Sequence, residues 1–398
     1  MKILQICTKV TSPAKDGYSI AVNAISKGLT KEANYVRIMS ANTLQHFVKE
    51  TEMSSDYIKN YKPVTVTLDT YVKPLPAFIN LFTSKSYNIE RFISNEFKSK
   101  LSNLLIEENF DLIQFESLFM APYLETVRKY SKAKAVLRAH NVEHLIWERR
   151  YQEEKNPFRK WYLVLLKRRL MKYEENIINK FDGIAAISDI DKQYFKEMGC
   201  RIPIETIPIG IDYEFINNDK IKPEPSSLFF IGTLDWMPNV DGLKWFLNEC
   251  WEEIHKVFPF LNFYIAGKYS NNFHLDKEFP NVTIVGEIDN AYEFICSKEI
   301  MIVPLKYASG TRVKIIEAMA LGKVIITTNI GLEGINAKNG ENILIADFSN
   351  EFVEVISKYL NDKNLLKIIS DNAKKFAYEN YNNTDIIKKL LSLYNTLL

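Results

Sequence analysis

The chain has 398 residues, of which 46% are hydrophobic, 13% aromatic and 25% charged. This composition is typical of a globular protein with a large core, and it excludes disordered, collagen-like and low-complexity chains. With 51 basic and 49 acidic residues, the formal net charge is only +2, which gives no support to nucleic-acid binding through a generally basic surface.

Short apolar or β-branched runs alternate with helix-length amphipathic segments almost throughout the chain, and this alternation predicts an α/β fold with parallel sheets. In the first half, the predicted strands are residues 3–7, 35–40, 64–68, 111–117, 134–140, 183–188 and 204–210. In the second half, they are residues 227–233, 262–267, 281–287, 301–305 and 323–328. The aromatic-rich stretch 75–82 is expected in the core or in the wall of a binding groove.

A polar stretch with two prolines and no apolar period, residues 217–227, separates the two series of strands and predicts a linker. We therefore expect two Rossmann-like domains, 1–216 and 228–380, followed by a helical segment, 381–398. The two halves of the chain also differ in charge. Residues 1–225 carry 34 basic and 28 acidic residues, whereas residues 226–398 carry 17 basic and 21 acidic residues. In such sheets, ligands bind at the carboxyl ends of the strands.

The two ends of the chain and its cysteines indicate the cell compartment. The first apolar run is too short for the core of a signal peptide, and no apolar stretch approaches the roughly 18 residues that span a bilayer. The four cysteines are scattered, without a C-x-x-C motif or metal-ligand spacing. These features predict a cytoplasmic protein, either free or peripheral at the inner face of the cytoplasmic membrane.

The richest segment for chemistry is 301–333, where a buried strand is followed by a loop of small residues and then by a helix. Ser309 or Thr311 is expected to cap this helix, with Gly310 between them. Because the amino end of a helix carries free N–H groups and a partial positive charge, this loop predicts an anion site. Arg312 and Lys314 add two cations there, and a phosphate is the natural counterion.

Glu317 lies one helical turn after Lys314, where its carboxylate can accept hydrogen bonds from a vicinal diol such as a ribose. An alternative interpretation stays open at this point: an ordinary surface helix on which Lys314 and Glu317 form an ion pair worth a few tenths of a kcal/mol.

Six short motifs in the expected order resemble the retaining glycosyltransferases of family 4, which have the GT-B fold and act in polysaccharide and cell-surface glycan biosynthesis. The most informative is TRVKIIEAMALGK, which is similar to the donor-binding motif of that family. The set comprises RAHN (138–141), IPIGID (207–212), FIGT (230–233), WMPN (236–239), the TRVKIIEAMALGK helix (311–323), and TT (327–328) with GLEG (331–334).

The resemblance implies two Rossmann-like domains that face a cleft, with the C-terminal helix crossing back to the first domain. It implies a hexosyltransferase-type enzyme that moves a sugar from a nucleotide-diphosphate donor to a glycan or lipid-linked acceptor. The anomeric configuration would be retained, and no enzyme nucleophile, metal or other cofactor would take part.

Carried over to this sequence, the family pattern implies a role for each matching residue. Glu317 would hold the ribose, and Arg312 with Lys314 would act catalytically by stabilising the leaving diphosphate. The remaining donor-binding positions are the phosphate loops and the base contacts, namely Gly232, Thr233, Gly286, Glu287, Ser309, Gly310 and Thr311.

The first domain would supply the acceptor side. His140 would lie beside the transferred sugar as a third catalytic residue, while Gly17, Arg138 and Asn141 would line the cleft. One departure stands out: the family's paired-glutamate motif has a second Glu eight positions before Glu317, where this sequence has Ser309.

Two other functions compete with sugar transfer. The run His140-Asn141-Val142-Glu143-His144 matches H-x-x-E-H, a signature of inverted zinc metallopeptidases, although AVLRA before it reads as a strand. A catalytically silent or epimerase-type protein on the same fold is the second alternative, favoured by Ser309 in place of the glutamate.

The segment 149–172 carries nine basic and two acidic residues, with Leu163, Leu166, Leu170 and Tyr173 at helical spacing. A basic amphipathic helix with aromatic members is typical of contact with an anionic membrane. Packing of the same apolar stripe on its own domain explains the pattern equally well, so both interpretations stay open.

Overall fold

The structure is a computed structural model that describes residues 1–14, 16–213, 221–270, 273–275, 277–308 and 310–398, without the Glu153 side chain. The chain divides into two compact units. Met1–Gly210 and Thr384–Leu398 form the N-terminal unit, and Ile211–Asn383 forms the C-terminal unit. Part of the predicted linker, residues 217–220, lies outside the described residues.

The N-terminal unit is built on a seven-stranded sheet in the order β3-β2-β1-β4-β5-β6-β7, and every pairing is parallel. Its strands are rich in buried apolar residues because helices cover both faces of a parallel sheet. They are β1 (Lys2–Cys7), β2 (Tyr35–Thr43), β3 (Val64–Leu68), β4 (Leu112–Phe115), β5 (Lys134–Ala139), β6 (Gly183–Ala186) and β7 (Ile204–Thr206).

The connections of this unit are mostly helical, as parallel strands require. The α-helices are α1 (Gly17–Lys31), α2 (Ser55–Tyr61), α3 (Pro74–Asn80), α4 (Tyr87–Glu90), α5 (Asn95–Glu107), α6 (Leu124–Tyr130), α7 (Glu143–Glu153), α8 (Pro157–Ile177) and α9 (Asp189–Glu197). Short 3₁₀ turns lie at Leu44–His46, Glu50–Glu52, Leu118–Tyr123 and Ile178–Lys180.

The C-terminal unit has a six-stranded parallel sheet in the order β10-β9-β8-β11-β12-β13. Its strands are β8 (Ser227–Ile231), β9 (Asn262–Ala266), β10 (Val282–Gly286), β11 (Ile300–Val303), β12 (Val324–Thr327) and β13 (Leu344–Ile345). The sequence predicted each of these except β13, whose two residues are too few to show a period.

Among the described residues, α-helices follow every strand of this unit except β9. They are α10 (Met237–Trp245), a π-helical turn (Phe246–Trp251), α11 (Glu252–Val257), α12 (Ala291–Cys296), α13 (Val313–Ala320), α14 (Asn329–Leu332), α15 (Ser349–Leu360) and α16 (Lys363–Tyr381). The last helix of the chain, α17 (Asn383–Leu397), belongs almost entirely to the N-terminal unit.

Helix α17 is held in the N-terminal unit by a stripe of apolar side chains. Ile386, Ile387, Leu390, Leu393 and Tyr394 are buried in one cluster with residues of β1, α1 and β2. The fold predicted from the sequence, two parallel-sheet α/β domains with a C-terminal helix that returns to the first, is therefore confirmed.

The basic segment 149–172 is divided between the end of α7 and most of α8. Its apolar stripe points inward, because Leu163, Leu166 and Leu170 are buried and Tyr173 is partly buried. The stripe itself is therefore part of the unit's own packing. No helix among the described residues combines the length and the apolar character needed to cross a bilayer.

Candidate functional site

Three glycines lie at the carboxyl ends of neighbouring strands in the C-terminal unit. Gly232 follows β8, Gly267 follows β9, and Gly286 is the last residue of β10. The Gly286 carbonyl oxygen accepts a hydrogen bond from the Gly267 N–H at 2.8 Å. Gly267 has φ +146°, and a Cβ there would lie 1.7 Å from the Gly232 carbonyl oxygen. Only glycine therefore lets these two loops approach each other.

Lys314, on the first turn of α13, reaches the Gly232 loop. Its ammonium donates to Asn239 Oδ1 at 3.0 Å and lies 3.9 Å from the centre of the Phe230 ring. A Cβ on Gly232 would be 3.2 Å from Lys314 Nζ and 2.9 Å from Asn239 Nδ2. The missing side chain of Gly232 therefore leaves room for the cation at the end of β8.

Asn239 joins the two parts of this arrangement. Its Oδ1 accepts from Lys314, and its Nδ2 donates to the Thr233 carbonyl oxygen at 2.8 Å. The side chain is almost fully buried. Asn239 thus fixes both the position of the ammonium and the shape of the loop after β8.

Arg312 occupies the N-cap position of α13, which corrects the expectation that Thr311 caps the helix. No side chain of the described residues caps it, and the Thr311 hydroxyl is buried without a hydrogen-bond partner among them. Ser309 lies outside the described residues. Gly310 has φ +75°, a left-handed conformation that glycine adopts without strain.

The Arg312 guanidinium is turned toward the loop after β12. Its Nη2 donates to the Ile330 carbonyl oxygen at 2.6 Å and lies 3.7 Å from Glu333 Oε2. Burial and then repulsion from Arg312 hold the pKa of Lys314 well below its usual range. Two neighbouring cations in a poorly solvated position form a site that an anion would stabilise.

Glu317 lies one turn further along α13 and is 8% exposed. Its Oε1 accepts a hydrogen bond from the Tyr292 hydroxyl at 3.1 Å. Burial raises the pKa of Glu317 from 4.5 to about 7, although the bond from Tyr292 acts in the opposite direction. The partners of Lys314 and Glu317 are Asn239 and Tyr292, so the ion pair that a plain surface helix would show does not form among the described residues.

The predicted base-binding residues lie at the edge strand β10. Gly286 has φ +98° and its carbonyl already accepts the Gly267 N–H, while Glu287 is exposed. The predicted donor residues in the described ranges therefore all lie in the segments that follow β8, β10 and β11 of the C-terminal unit, at the end of β10, or on α13.

In the N-terminal unit, His140 directly follows β5, and Glu116 directly follows the neighbouring strand β4. With its proton on Nε2, the imidazole donates to Glu116 Oε2 at 3.1 Å. Arg138, fully buried in β5, lies 3.6 Å from the same oxygen. His140 is therefore held by a buried carboxylate that the sequence-based prediction did not include.

Glu116 remains ionised inside the unit because it is well hydrogen bonded. Burial by itself would raise its pKa, but bonds from His140 and Gln114 and the charge of Arg138 hold that pKa below its usual range. Burial lowers the pKa of His140, and the Glu116 carboxylate partly offsets this effect. Gln114 also bonds to the Tyr394 hydroxyl on α17, so the C-terminal helix contacts the same polar network.

The H-x-x-E-H run does not form a metal site. Helix α7 begins at Glu143, so His140 and His144 do not share a helical face. His144 Nδ1 lies 2.6 Å from Glu174, whose carboxylate also accepts the backbone N–H groups of Glu143 and His144. Among the described residues, no group of three or more His, Cys, Asp or Glu side chains could hold a metal ion.

The remaining predicted residues of this unit are Gly17 and Asn141. Gly17 is the first residue of α1, whose N-cap Asp16 accepts the Ser19 N–H. Tyr18, the next residue, places its ring 5.0 Å from the His140 ring, centre to centre. Asn141 bonds to the Glu143 side chain, whose pKa burial and the nearby Glu174 raise to about 8.

Sequence reasoning missed four residues that shape these sites: Glu116, Asn239, Gly267 and Tyr292. Glu116 and Gly267 carry a readable signal, because each stands at the carboxyl end of a predicted strand, where ligands bind in this architecture. Asn239 lies in a quoted motif, yet only the structure shows that it bonds to Lys314. Tyr292 has no local signal.

Two family models match the chain, one in the greater part of each unit. Residues 62–215 match "Glycosyltransferase Family 4", and residues 225–362 match "Glycosyl transferases group 1". A Klebsiella pneumoniae protein, described as an uncharacterised 44.6 kDa protein in the cps region, is 26% identical over 308 residues, which cover 74% of this chain and 76% of the relative.

Solved structures show the same fold over the whole chain. Sucrose-phosphate synthase from Thermosynechococcus elongatus superposes with a TM-score of 0.71 at 14% identity, covering 100% of this chain and 99% of that one. Anabaena HepE in complex with UDP superposes with a TM-score of 0.67 at 14% identity, covering 100% of both chains. The chain belongs to the family 4 type of glycosyltransferases, with the GT-B fold.

Proposed function

We propose that this glycosyltransferase moves a hexosyl group from a nucleotide-diphosphate sugar to a glycan or lipid-linked acceptor, with retention of configuration and without a metal. The observation that carries the donor part is the position of Lys314. Its ammonium lies against the Gly232 loop, beside Arg312, and one helical turn from the Glu317 carboxylate. In this order, the two cations would bind the diphosphate of the donor and the carboxylate would bind the ribose that follows it.

The chemistry follows from this charge pattern. As the bond between the anomeric carbon and the diphosphate oxygen breaks, negative charge builds on the diphosphate and the sugar becomes oxocarbenium-like. Lys314 and Arg312 are fixed in place before the reaction, so they stabilise that charge at little reorganisation cost. The acceptor oxygen then bonds to the anomeric carbon on the same face, and its proton passes to a phosphate oxygen of the leaving diphosphate.

His140 is proposed to bind the transferred sugar, not to attack it. Burial lowers the pKa of its imidazole, which favours the neutral ring at physiological pH. The ionised Glu116 carboxylate, 3.1 Å from Nε2, favours the proton on Nε2 even though an Arg138 nitrogen lies 3.3 Å from the same atom, and in that tautomer Nδ1 is an acceptor for a sugar hydroxyl.

The biological setting is proposed as surface-polysaccharide synthesis at the inner face of the cytoplasmic membrane. The relative described as a protein in the cps region supports the polysaccharide part. The basic segment 149–172 supports contact with an anionic membrane, where a lipid-linked acceptor would be found. Structures such as HepE in complex with UDP support a uridine nucleotide as the first donor to test.

A thermal-shift screen against UDP, GDP and ADP and their hexose conjugates tests the donor site. A ligand at 100 times its dissociation constant stabilises the folded protein by about 2.7 kcal/mol. We expect one nucleotide series to raise the melting temperature of the wild type, and Lys314→Met and Glu317→Gln to abolish the rise. Lys338→Met, on an exposed lysine paired with Glu341, is the matched control and should respond as the wild type does.

If no nucleotide stabilises the wild type, or if both site variants respond normally, the proposed donor site is wrong. Transfer is then separated from a catalytically silent or epimerase-type activity by measuring nucleoside diphosphate release with and without acceptor. Release that depends on acceptor, that continues in EDTA, and that gives a product of unchanged anomeric configuration by NMR supports the full proposal. Isomerised nucleotide-sugar without release would contradict it.

A further inference from the structure

Helix α3 of the N-terminal unit has its apolar face turned to solvent. Leu75, Phe78 and Ile79 recur at the spacing i, i+3, i+4, which places them on one helical face, and Phe82 follows in the turn after the helix ends at Asn80. Each of the four is more than half exposed, between 55% and 80%. The Phe78 and Phe82 rings contact each other edge to face at 5.5 Å, so this face is a continuous apolar surface.

The opposite side of α3 is held by polar groups, which is the reverse of an ordinary amphipathic helix. Asn80 is almost fully buried, and its Nδ2 donates to Glu90 Oε2 at 2.8 Å. Arg169 of α8 donates to both oxygens of Asn80 at 2.9 Å and to the Leu81 carbonyl at 2.9 Å. These bonds fix the orientation of the helix, so the exposed apolar face is built into the fold.

The first two turns of α8 add two exposed aromatic residues. Phe158 is 84% exposed and Trp161 is 62% exposed. Helix α8 is joined to α3 by the hydrogen bonds from Arg169 to Asn80 and to the Leu81 carbonyl. The exposed apolar side chains thus lie on two helices that are bonded to each other, and exposed apolar patches mark interaction sites.

The charges beside this surface decide which partner it fits. Arg159 and Arg168 on α8 are exposed, and no carboxylate among the described residues pairs with either. In a two-fold dimer through this surface, equivalent patches would face each other and bring like charges together. An anionic bilayer offers instead an apolar interior for the aromatic rings and negative headgroups for the arginines.

We propose that α3 with the turn after it, and the first two turns of α8, insert into the interface of an anionic lipid bilayer. The inserting side chains are Leu75, Phe78, Ile79, Phe82, Phe158 and Trp161. This inference deepens the proposed membrane contact, and rests on the proposed function only for its purpose of reaching a lipid-linked acceptor. The inserting side chains are therefore not the predicted leucine stripe of α8, which is buried, but those of α3 and the turn after it, together with Phe158 and Trp161 of the segment 149–172. A helix of this kind lies in the membrane plane with its apolar face about 5–10 Å deep.

The test is flotation of the full chain with vesicles of phosphatidylglycerol and phosphatidylcholine, compared with vesicles of phosphatidylcholine alone. We expect the wild type to float with the anionic vesicles and to dissociate as the salt concentration rises. The double variant Phe78→Ser/Phe82→Ser should lose at least tenfold in partitioning. The matched control is Phe260→Ser/Phe348→Ser, on two phenylalanines of the C-terminal unit that are 60% and 63% exposed, and it should float as the wild type does.

Three results would overturn the inference: wild type that does not float, a Phe78→Ser/Phe82→Ser variant that floats normally, or a dimer in sedimentation that this variant abolishes. Nucleotide thermal shifts on the same proteins separate this inference from the proposed function. A wild type that floats but binds no nucleotide leaves the membrane surface intact and refutes the donor site. A variant that no longer floats but still responds to nucleotide supports the surface as a separate feature.

Discussion

Replacing Glu317 by Gln should make the protein more stable at alkaline pH while it removes nucleotide binding. In the structure this carboxyl is buried, and its pKa is raised from 4.5 to about 7. Between these two values the folded state binds more protons than the unfolded state, so stability falls as the pH rises. Gln is neutral at every pH and its oxygen can still accept the bond from Tyr292, so the variant avoids this loss.

The size of the effect follows from the two pKa values. A shift of one unit corresponds to about 1.36 kcal/mol, so ionising Glu317 costs the fold about 3 kcal/mol above pH 8. Most of this cost arises between pH 5 and pH 8. The free energy of unfolding of wild type should therefore fall by about 2.5 kcal/mol more than that of Glu317→Gln over this interval. The buried Glu143 is present in both proteins, so its contribution cancels.

The assay is urea unfolding at pH 5 and pH 8, followed by tryptophan fluorescence, with the midpoint and slope fitted for each protein. Glu341→Gln, on an exposed residue of the same unit in a surface ion pair, is the matched control, and its free energy of unfolding should change with pH as that of wild type does. If the free energy of unfolding of Glu317→Gln also changes with pH as that of wild type does, the carboxyl does not ionise in a buried position and the reasoning fails. If stability behaves as expected but nucleotide binding persists, Glu317 is buried without being a donor ligand.

Three further predictions test the sites. Gly267→Ala should destabilise the C-terminal unit by about 3 kcal/mol or more in thermal unfolding, because its Cβ would lie 1.7 Å from a carbonyl oxygen at φ +146°; unchanged unfolding would contradict the close approach of the loops. Asn239→Leu removes the acceptor for the Lys314 ammonium, so calorimetry should show a tenfold to hundredfold loss of nucleotide affinity, about 1.5–3 kcal/mol; equal affinity would show that Lys314 needs no positioning. In wild type the Glu116 carboxylate raises the pKa of His140, so Glu116→Gln should lower that pKa. An NMR titration in which the His140 pKa is the same in both proteins would exclude the contact.

The sequence was sufficient for the strands because each is a local pattern. A parallel strand shows itself as a short apolar or β-branched run, and twelve of the thirteen strands in the described residues carried such a run in the chain itself. The order of short motifs was enough to identify the family type. The position of α17 was expected from the same resemblance, and its apolar stripe supplies the physical reason for the return to the first unit.

The cap of α13 and the partner of the apolar stripe of α8 could not be predicted from the local sequence. Small polar residues before a helix are usually caps, yet the N-cap of α13 is a buried arginine, Arg312, whose side chain bonds to the loop after β12. The stripe of α8 was readable as a stripe, but its periodicity is the same whether the partner is a membrane or the protein. Only the neighbouring elements decide between these outcomes.

The sequence by itself determined the two α/β domains, the family type and the set of donor-binding candidates, because these depend on residues close together in the chain. The tertiary structure alone decided that Gly267 meets Gly232, that Asn239 holds Lys314, and that Glu116 lies under His140. It also turned the apolar face of α3 outward. Each of these is a contact between distant parts of the chain, or the lack of a covering element among the described residues, and no local pattern of residue types encodes either.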